Sequence, residues 1–337
     1  MTFISDPQIV DHARLVTGIA AGFAPHGVYR SDGSPVLDAN LTQGGKPVHG
    51  QADRTTLAAI SDFKEGTFHY GGCVFGHFGH LLLETFARLS LFSDVSGDIL
   101  FTSLNHTHDE LFWRFVAEMD LPKERITVVD KPTIVERLVV HPPAFRIRAG
   151  IDLRFITAYE EIGDRIARKA GLTQNENKVP VFYSRAHLPP GRRYFFGETL
   201  VEDLLRDQGC DVVHPESQTV GQQIETALTR HRVLGFAGSA LHMLVFSRAS
   251  KRISFLLSEP LHTNFRLIES LKRNHLNEVE VELVLAPGGP LRDGPFLLSK
   301  AGIVQAASVL GTRLSESDVD PAAYDRCVED FERACTT

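Results

Sequence analysis

"VPVFYSR" at residues 179–185 opens the most regular part of the chain. Its β-branched and aromatic residues read as a short buried strand. Working outward in the C-terminal direction, helical and strand patterns alternate. "GETLVEDLLRDQG" (197–209) reads as a helix, "CDVVHPE" (210–216) as a strand and "TVGQQIETALTRH" (219–231) as a helix. "RVLGFAGS" (232–239) is a strand, "ALHMLVFS" (240–247) a short helix and "KRISFLL" (251–257) a strand. Strands alternating with helices at this spacing predict βαβ units and a parallel sheet covered on both faces. The second half is therefore expected to be Rossmann-like.

Toward the N-terminus the pattern is less regular. "LTQNENK" (172–178) is polar and aperiodic, and is the best candidate for a linker. Before it lies a long helix, "LRFITAYEEIGDRIARKAG" (153–171), ended by Gly171. "DILFTS" (98–103), "RITVVD" (125–130) and "ERLVVHPP" (136–143) read as strands, and "THDELFWRFVAEMDL" (107–121) as an amphipathic helix. Residues 1–60 read as short strands joined by turns at "SDGSP" and "QGGKP". The expected organisation is an N-terminal α/β domain over 1–171 and a Rossmann-like domain over 178–311. An acidic tail or helix follows over 312–337.

Composition narrows the functional classes. The chain has 337 residues, of which 43% are hydrophobic, enough for two packed domains. Its net charge of -7 argues against a broad nucleic-acid footprint. The four cysteines (Cys73, Cys210, Cys327 and Cys335) show no CxxC spacing and fit reduced thiols in a cytosolic protein. No stretch approaches the roughly 20 apolar residues of a spanning helix, and the start lacks the basic region of a signal peptide. A cytoplasmic protein is expected, with peripheral attachment to the inner face of a membrane left open.

In a doubly wound sheet, ligands bind beyond the carboxyl ends of the strands. There the second half collects Arg185, Arg192 and Arg193 after its first strand, Gly238-Ser239 after its third and Glu259 after its fourth. Arginines can clamp phosphate oxygens in bidentate fashion, and a helix start at Gly238-Ser239 offers backbone N–H groups to an anion. Glu259 could accept hydrogen bonds from sugar hydroxyls. A phosphorylated ligand is the expectation. Neither the P-loop nor the dinucleotide fingerprint is present.

The first half carries one run of the same interest, "GHFGHLLLETFARL" (76–89). On an ideal helix His77, His80, Glu84 and Arg88 fall in one stripe roughly 80° wide, apart from the apolar face. Three readings compete. His80 could be a general base oriented by Glu84. His77, His80 and Glu84 could ligate a metal, although HExxH is absent. Glu84 and Arg88 could be an ordinary i,i+4 pair beside a helix histidine.

Three motifs in this order resemble glycosyltransferase family 61, the group that includes capsular-polysaccharide-type enzymes. The first is a helix of the form Asn-x-x-His-(apolar)₃-Glu-x-x-x-Arg-Leu. "HFGHLLLETFARL" matches it at His80, Glu84, Arg88 and Leu89, with His77 in place of the Asn. The second is a strand ending Tyr/Phe-x-Ser-Arg with further arginines, matched by Ser184, Arg185 and Arg193 in "FYSRAHLPPGRR". The third is His-Gly-Ala-x-Leu-x-Asn-x-x-Phe, which "AGSALHMLVF" matches at Gly238, Leu241 and Phe246. The motif's His falls at Ala237 and its Asn at Met243. An Asn-Glu pair usual after the arginines falls at Phe196-Gly197, with Glu198 one step later. The resemblance covers roughly residues 30 to 270.

The resemblance implies a GT-B architecture, two Rossmann-like domains facing a cleft, with a nucleotide-sugar donor on the C-terminal domain. It implies a hexosyl- or pentosyltransferase, inverting and metal-independent, without a cofactor beyond its donor co-substrate, acting on a glycan or polysaccharide acceptor. Arg185, Arg192, Arg193, Gly238 and Ser239 would surround the donor, with His242 and Glu259. His80 and Glu84 would be catalytic, and His77, Arg88 and Glu198 would contact substrate. A sugar-nucleotide epimerase or hydrolase on the same scaffold is an alternative. So is a nucleotide- or glycan-binding protein altered at Ala237 and Met243.

Overall fold

The computed structural model describes residues 6–17, 25–48, 50–104, 109–188, 194–284 and 294–336. The chain divides into two compact units, Met1–Ile162 and Gly163–Thr337. The division falls inside the helix Leu153–Ala170. The segment 172–178 lies in the second unit and is held by hydrogen bonds. Asn175 donates from its main chain to the Leu228 carbonyl and from its side chain to the Ser250 carbonyl, and Lys251 Nζ donates to its amide oxygen.

The first unit is built on a six-stranded mixed sheet. Its order is Gly27–Tyr29, Gln8–Val16, Thr133–Val140, Phe63–Val74, Asp98–Ser103, Ile126–Val129. The last four strands run parallel and the strand Gln8–Val16 runs against them. Side chains alternate across the pleat. One face buries Val10, Leu15, Phe68, Tyr70, Leu100, Val135 and Leu138 in a common cluster. Phe101, pointing the other way, meets Phe112 of the helix Asp109–Glu118, which in turn stacks on Phe86.

The second unit contains the expected parallel sheet, with a fifth strand, His275–Glu280, beyond the four expected. Five strands lie in the order Asp211–Val213, Val181–Tyr183, Arg232–Phe236, Arg252–Leu257, His275–Glu280, all parallel. By sequence this is 2-1-3-4-5, a doubly wound order whose topological switch point lies between Val181–Tyr183 and Arg232–Phe236. On one face Phe182, Leu234 and Leu256 pack with Leu200, Val201 and Leu205 of the helix Glu198–Asp207 and with Ile303 and Ala306 of the helix Lys300–Ala307. On the other, Phe255 packs against Phe265 of the helix Thr263–Glu269. Gly163 lets its helix approach the 3-10 segment Ser239–Phe246, since a Cβ there would come within 1.9 Å of the Phe246 carbonyl oxygen.

A small second sheet joins Phe195–Phe196 to Phe296–Leu298 in parallel, with Leu283–Val284 on its outer side. The acidic tail is an ordered helix, Pro321–Thr336, whose Phe331 packs onto Phe196 and Leu297. No helix among the described residues is long and apolar enough to cross a membrane.

Candidate active site

In the first unit the strand Phe63–Val74 ends at the carboxyl edge of the parallel strands, and the run 76–89 follows it directly. This run is helical but not one α-helix. Phe78–His80 forms a single turn, Leu81–Thr85 is a π-helix and the chain turns again before a short helix at Leu91–Asp94. The main-chain N–H of Phe86 bonds to the carbonyl of Leu81, one residue further back than in an α-helix. The carbonyl of Leu82, left without that N–H, accepts the Tyr159 hydroxyl at 2.7 Å instead. Thr85 ties the segment to the strand below. Its hydroxyl donates to the Cys73 carbonyl at 2.6 Å and accepts the Phe75 N–H at 3.3 Å.

The π-helix divides the expected stripe. His80 and Glu84 remain one turn apart, with His80 Nδ1 hydrogen-bonded to the Glu84 carboxylate. The His80 side chain is 39% exposed, while that of Glu84 is 11% exposed. The His80 ring lies against Phe75 at 4.8 Å between centroids and edge-on to His77 at 5.2 Å. His77 itself is exposed at the start of the first turn. Arg88, past the extra residue, turns inward and is buried. Its Nε donates to the His141 carbonyl at 2.7 Å and its terminal nitrogen to the Asp38 carbonyl. The guanidinium lies 5.3 Å above the Tyr70 ring. Burial lowers its pKa to about 10, which leaves it charged at neutral pH. Arg88 thus fastens three parts of the unit.

The glycines that precede this run serve the chain's own packing. A Cβ on Gly71 would strike the Phe101 ring at 2.5 Å. Gly72, at φ +139°, would meet the Thr85 carbonyl at 2.7 Å. The close backbone approach at Gly72 is therefore to the π-helix.

In the second unit the carboxyl ends of the strands carry a pocket lined by Arg185, Ala237, Ser258, Glu259 and His262 over an aromatic floor that includes Phe195 and Phe236. Those two rings stack at 4.1 Å. Gly238 leaves room for the Arg185 guanidinium, whose nearest nitrogen would be 3.3 Å from a Cβ there. Ser239 begins a 3-10 helix, Ser239–Phe246, with Gly238 as its extended N-cap. Glu198, the first residue of its helix, is 1% exposed and accepts the main-chain N–H of Arg185 at 2.8 Å through Oε1. Burial pushes its carboxyl up to about 8, against the smaller opposing effects of the Arg185 N–H and guanidinium. Its Oε2 is buried without a hydrogen-bond partner.

Arg185, Gly238 and Glu198 are thus brought together at the switch point, and Glu259 lines the same pocket. His242 is not among the lining residues, and its buried ring stacks on Phe265 at 4.3 Å. Met243, where the motif's Asn would fall, is fully buried. Arg192 and Arg193 lie outside the described residues. Sequence reading placed Ser258 beside Glu259 at the end of the fourth strand and missed Phe195, Phe236 and His262. His262 enters from a loop whose path no local pattern specifies.

No curated protein matches the chain. The family model described as glycosyltransferase 61 matches residues 78–254, more than half of the chain, from the turn that carries His80 to the fourth strand of the parallel sheet. Both groups of residues, His80 with Glu84 and Arg185 with Glu198 and Gly238, fall within that span, and the chain belongs to glycosyltransferase family 61.

Proposed function

We propose that the protein transfers a sugar, with inversion, from a nucleotide-sugar donor to a glycan or polysaccharide hydroxyl. The observation that carries this reading is the His80–Glu84 hydrogen bond at the carboxyl edge of a parallel sheet, within the family-matched span. A carboxylate on Nδ1 favours the tautomer with its lone pair on Nε2 and stabilises the imidazolium that forms when Nε2 takes a proton. His80 is then the general base for the acceptor hydroxyl, and Glu84 orients it. In the second unit Arg185 offers a cation for the departing diphosphate, and the Ser239 helix start offers N–H groups. Glu259 takes donor hydroxyls. The GT-B organisation belongs to this proposal, with donor chemistry on the second unit and acceptor chemistry on the first.

Transfer from a panel of nucleotide sugars tests the reading. His80→Ala and Glu84→Gln should each lower transfer about a hundredfold or more while leaving donor affinity intact. Arg185→Ala should weaken donor binding at least about tenfold. Near-full transfer in both His80→Ala and Glu84→Gln would sink the base assignment. Ala237 in the pocket and Met243 in the core favour a second reading, a nucleotide- or glycan-binding protein. Binding across the panel without turnover would select it, and turnover of donor alone would select a hydrolase or epimerase.

A further inference from the structure

At the carboxyl end of the parallel sheet, beside the Arg185 loop, the side chains of His187, His214 and Glu216 converge. One ligand atom from each lies within 4.8 Å of the others. His187 belongs to the loop after Val181–Tyr183; His214 and Glu216 follow the edge strand Asp211–Val213. The two imidazoles stack face to face, with centroids 3.6 Å apart and planes 10° apart. A neutral imidazole offers one ring lone pair to a metal ion.

His214 lies between two carboxylates. Its Nε2 faces the Glu202 carboxylate at 3.8 Å. Glu202 is itself fixed by the Ser184 hydroxyl at 2.5 Å and by Arg206 at 2.6 Å. The 3.8 Å gap from Nε2 to Glu202 is too long for a hydrogen bond. Nδ1 is buried, has no hydrogen-bond partner and faces Glu216 at 3.9 Å. This gap is also too long for a hydrogen bond. It is close to the separation of about 3.4 Å between two donors on one tetrahedral ion with bonds of about 2.1 Å. An ion on Nδ1 would leave the ring proton on Nε2, facing Glu202 as the outer carboxylate of a metal-ligating imidazole.

We propose that His187, His214 and Glu216 bind one divalent transition-metal ion of the zinc class, with His214 ligating through Nδ1. Two imidazoles and one carboxylate suit zinc, cobalt or nickel over magnesium or calcium, which prefer all-oxygen shells. Binding requires the stacked rings to splay so that their lone pairs converge, and His187 is exposed. Three protein ligands leave a fourth position for water or an anion. The ion clips the loop that begins at Arg185 to the loop that begins at His214. This site lies outside the metal-free chemistry that the family resemblance implies, and its binding does not depend on the transfer reaction proposed above.

The test uses the full-length, untagged chain stripped with a chelator and no sugar donor or acceptor. Cobalt(II) should give ligand-field absorption that saturates at one equivalent and is displaced by zinc. His187→Ala and Glu216→Gln, both at exposed positions, should each weaken zinc binding about tenfold or more while keeping the metal-free melting temperature. Glu202→Gln should weaken it about ten- to a hundredfold, because the amide is a weaker acceptor for the Nε2–H of the metal-bound ring. A wild-type chain that binds neither ion overturns the proposal. So does zinc affinity unchanged in the His187→Ala, Glu216→Gln double variant, which would assign the metal to other histidines or to the thiols.

Discussion

The carboxylate of Glu198 accepts the main-chain N–H of Arg185 at 2.8 Å, while its other oxygen is buried without a partner. Burial raises this carboxyl to about 8, so folding favours its protonated form. The sign follows from linkage. A group whose folded pKa lies above its unfolded value adds stability below the ordinary carboxylate range and loses it as pH rises through the folded value. Between about pH 4.5 and 8, wild-type stability should therefore fall relative to Glu198→Gln, whose amide keeps an oxygen for the Arg185 N–H. Melting curves of both chains from pH 5 to 9 measure the difference. A gap that stays constant with pH would mean that Glu198 ionises as an ordinary carboxylate.

Arg88 offers a contrast between binding and support. The family pattern suggested contact with substrate, yet its guanidinium is buried on the carbonyls of His141 and Asp38 and over Tyr70. Arg88→Met keeps much of the aliphatic bulk and removes the donors. Each buried carbonyl left unpaired costs about 1–3 kcal/mol. Urea unfolding should show a loss on the order of 2–5 kcal/mol. A variant of unchanged stability whose only defect is weaker acceptor binding would restore the substrate role.

Four strands of the five-stranded sheet were legible because a parallel sheet is buried on both faces, so they are short apolar runs between helices of clear period; the fifth, His275–Glu280, is polar and largely exposed and escaped the pattern. The first sheet hid two of its strands. In Gln8–Val16 the residue His12 adopts φ 52°, and the buried positions shift from Val10 to Ala13 and Leu15, which breaks the two-residue alternation. Phe63–Val74, a central strand, carries Lys64, Glu65 and several glycines, with irregular register at Lys64/Thr67 and at Tyr70/Gly72. Periodicity cannot see a strand whose register slips twice. The same limit applies to the candidate site. His80 and Glu84 at i,i+4 survive any helical reading, but the departure of Arg88 depends on one extra residue in a π-turn. Tertiary contacts from Thr85 and Tyr159 hold that turn, and they are invisible to local pattern. His187 and His214 lie in the loops after two neighbouring parallel strands and meet only through strand order.

Tyr159 provides the last test, because its hydroxyl supplies the hydrogen bond that the π-helix withdraws from the Leu82 carbonyl. The side chain is fully buried, and burial keeps its hydroxyl protonated far above neutral pH. Tyr159→Phe preserves the ring packing against Phe155 and leaves one buried carbonyl unpaired. The expected cost is about 1–3 kcal/mol. If the π-helix holds Glu84 in place to orient His80, the same substitution should also slow transfer without changing donor affinity, since the defect lies in the positioning of the base. The turn could otherwise relax to a regular α-helix, which gives the Leu82 carbonyl back to the Phe86 N–H. In that case stability would be nearly unchanged while transfer falls, because Glu84 and the residues after it rotate relative to His80. Denaturant titration and initial rates on the same preparation separate these outcomes. Unchanged stability together with unchanged rate would show that the Tyr159 bond neither holds the π-helix nor serves the pair it carries.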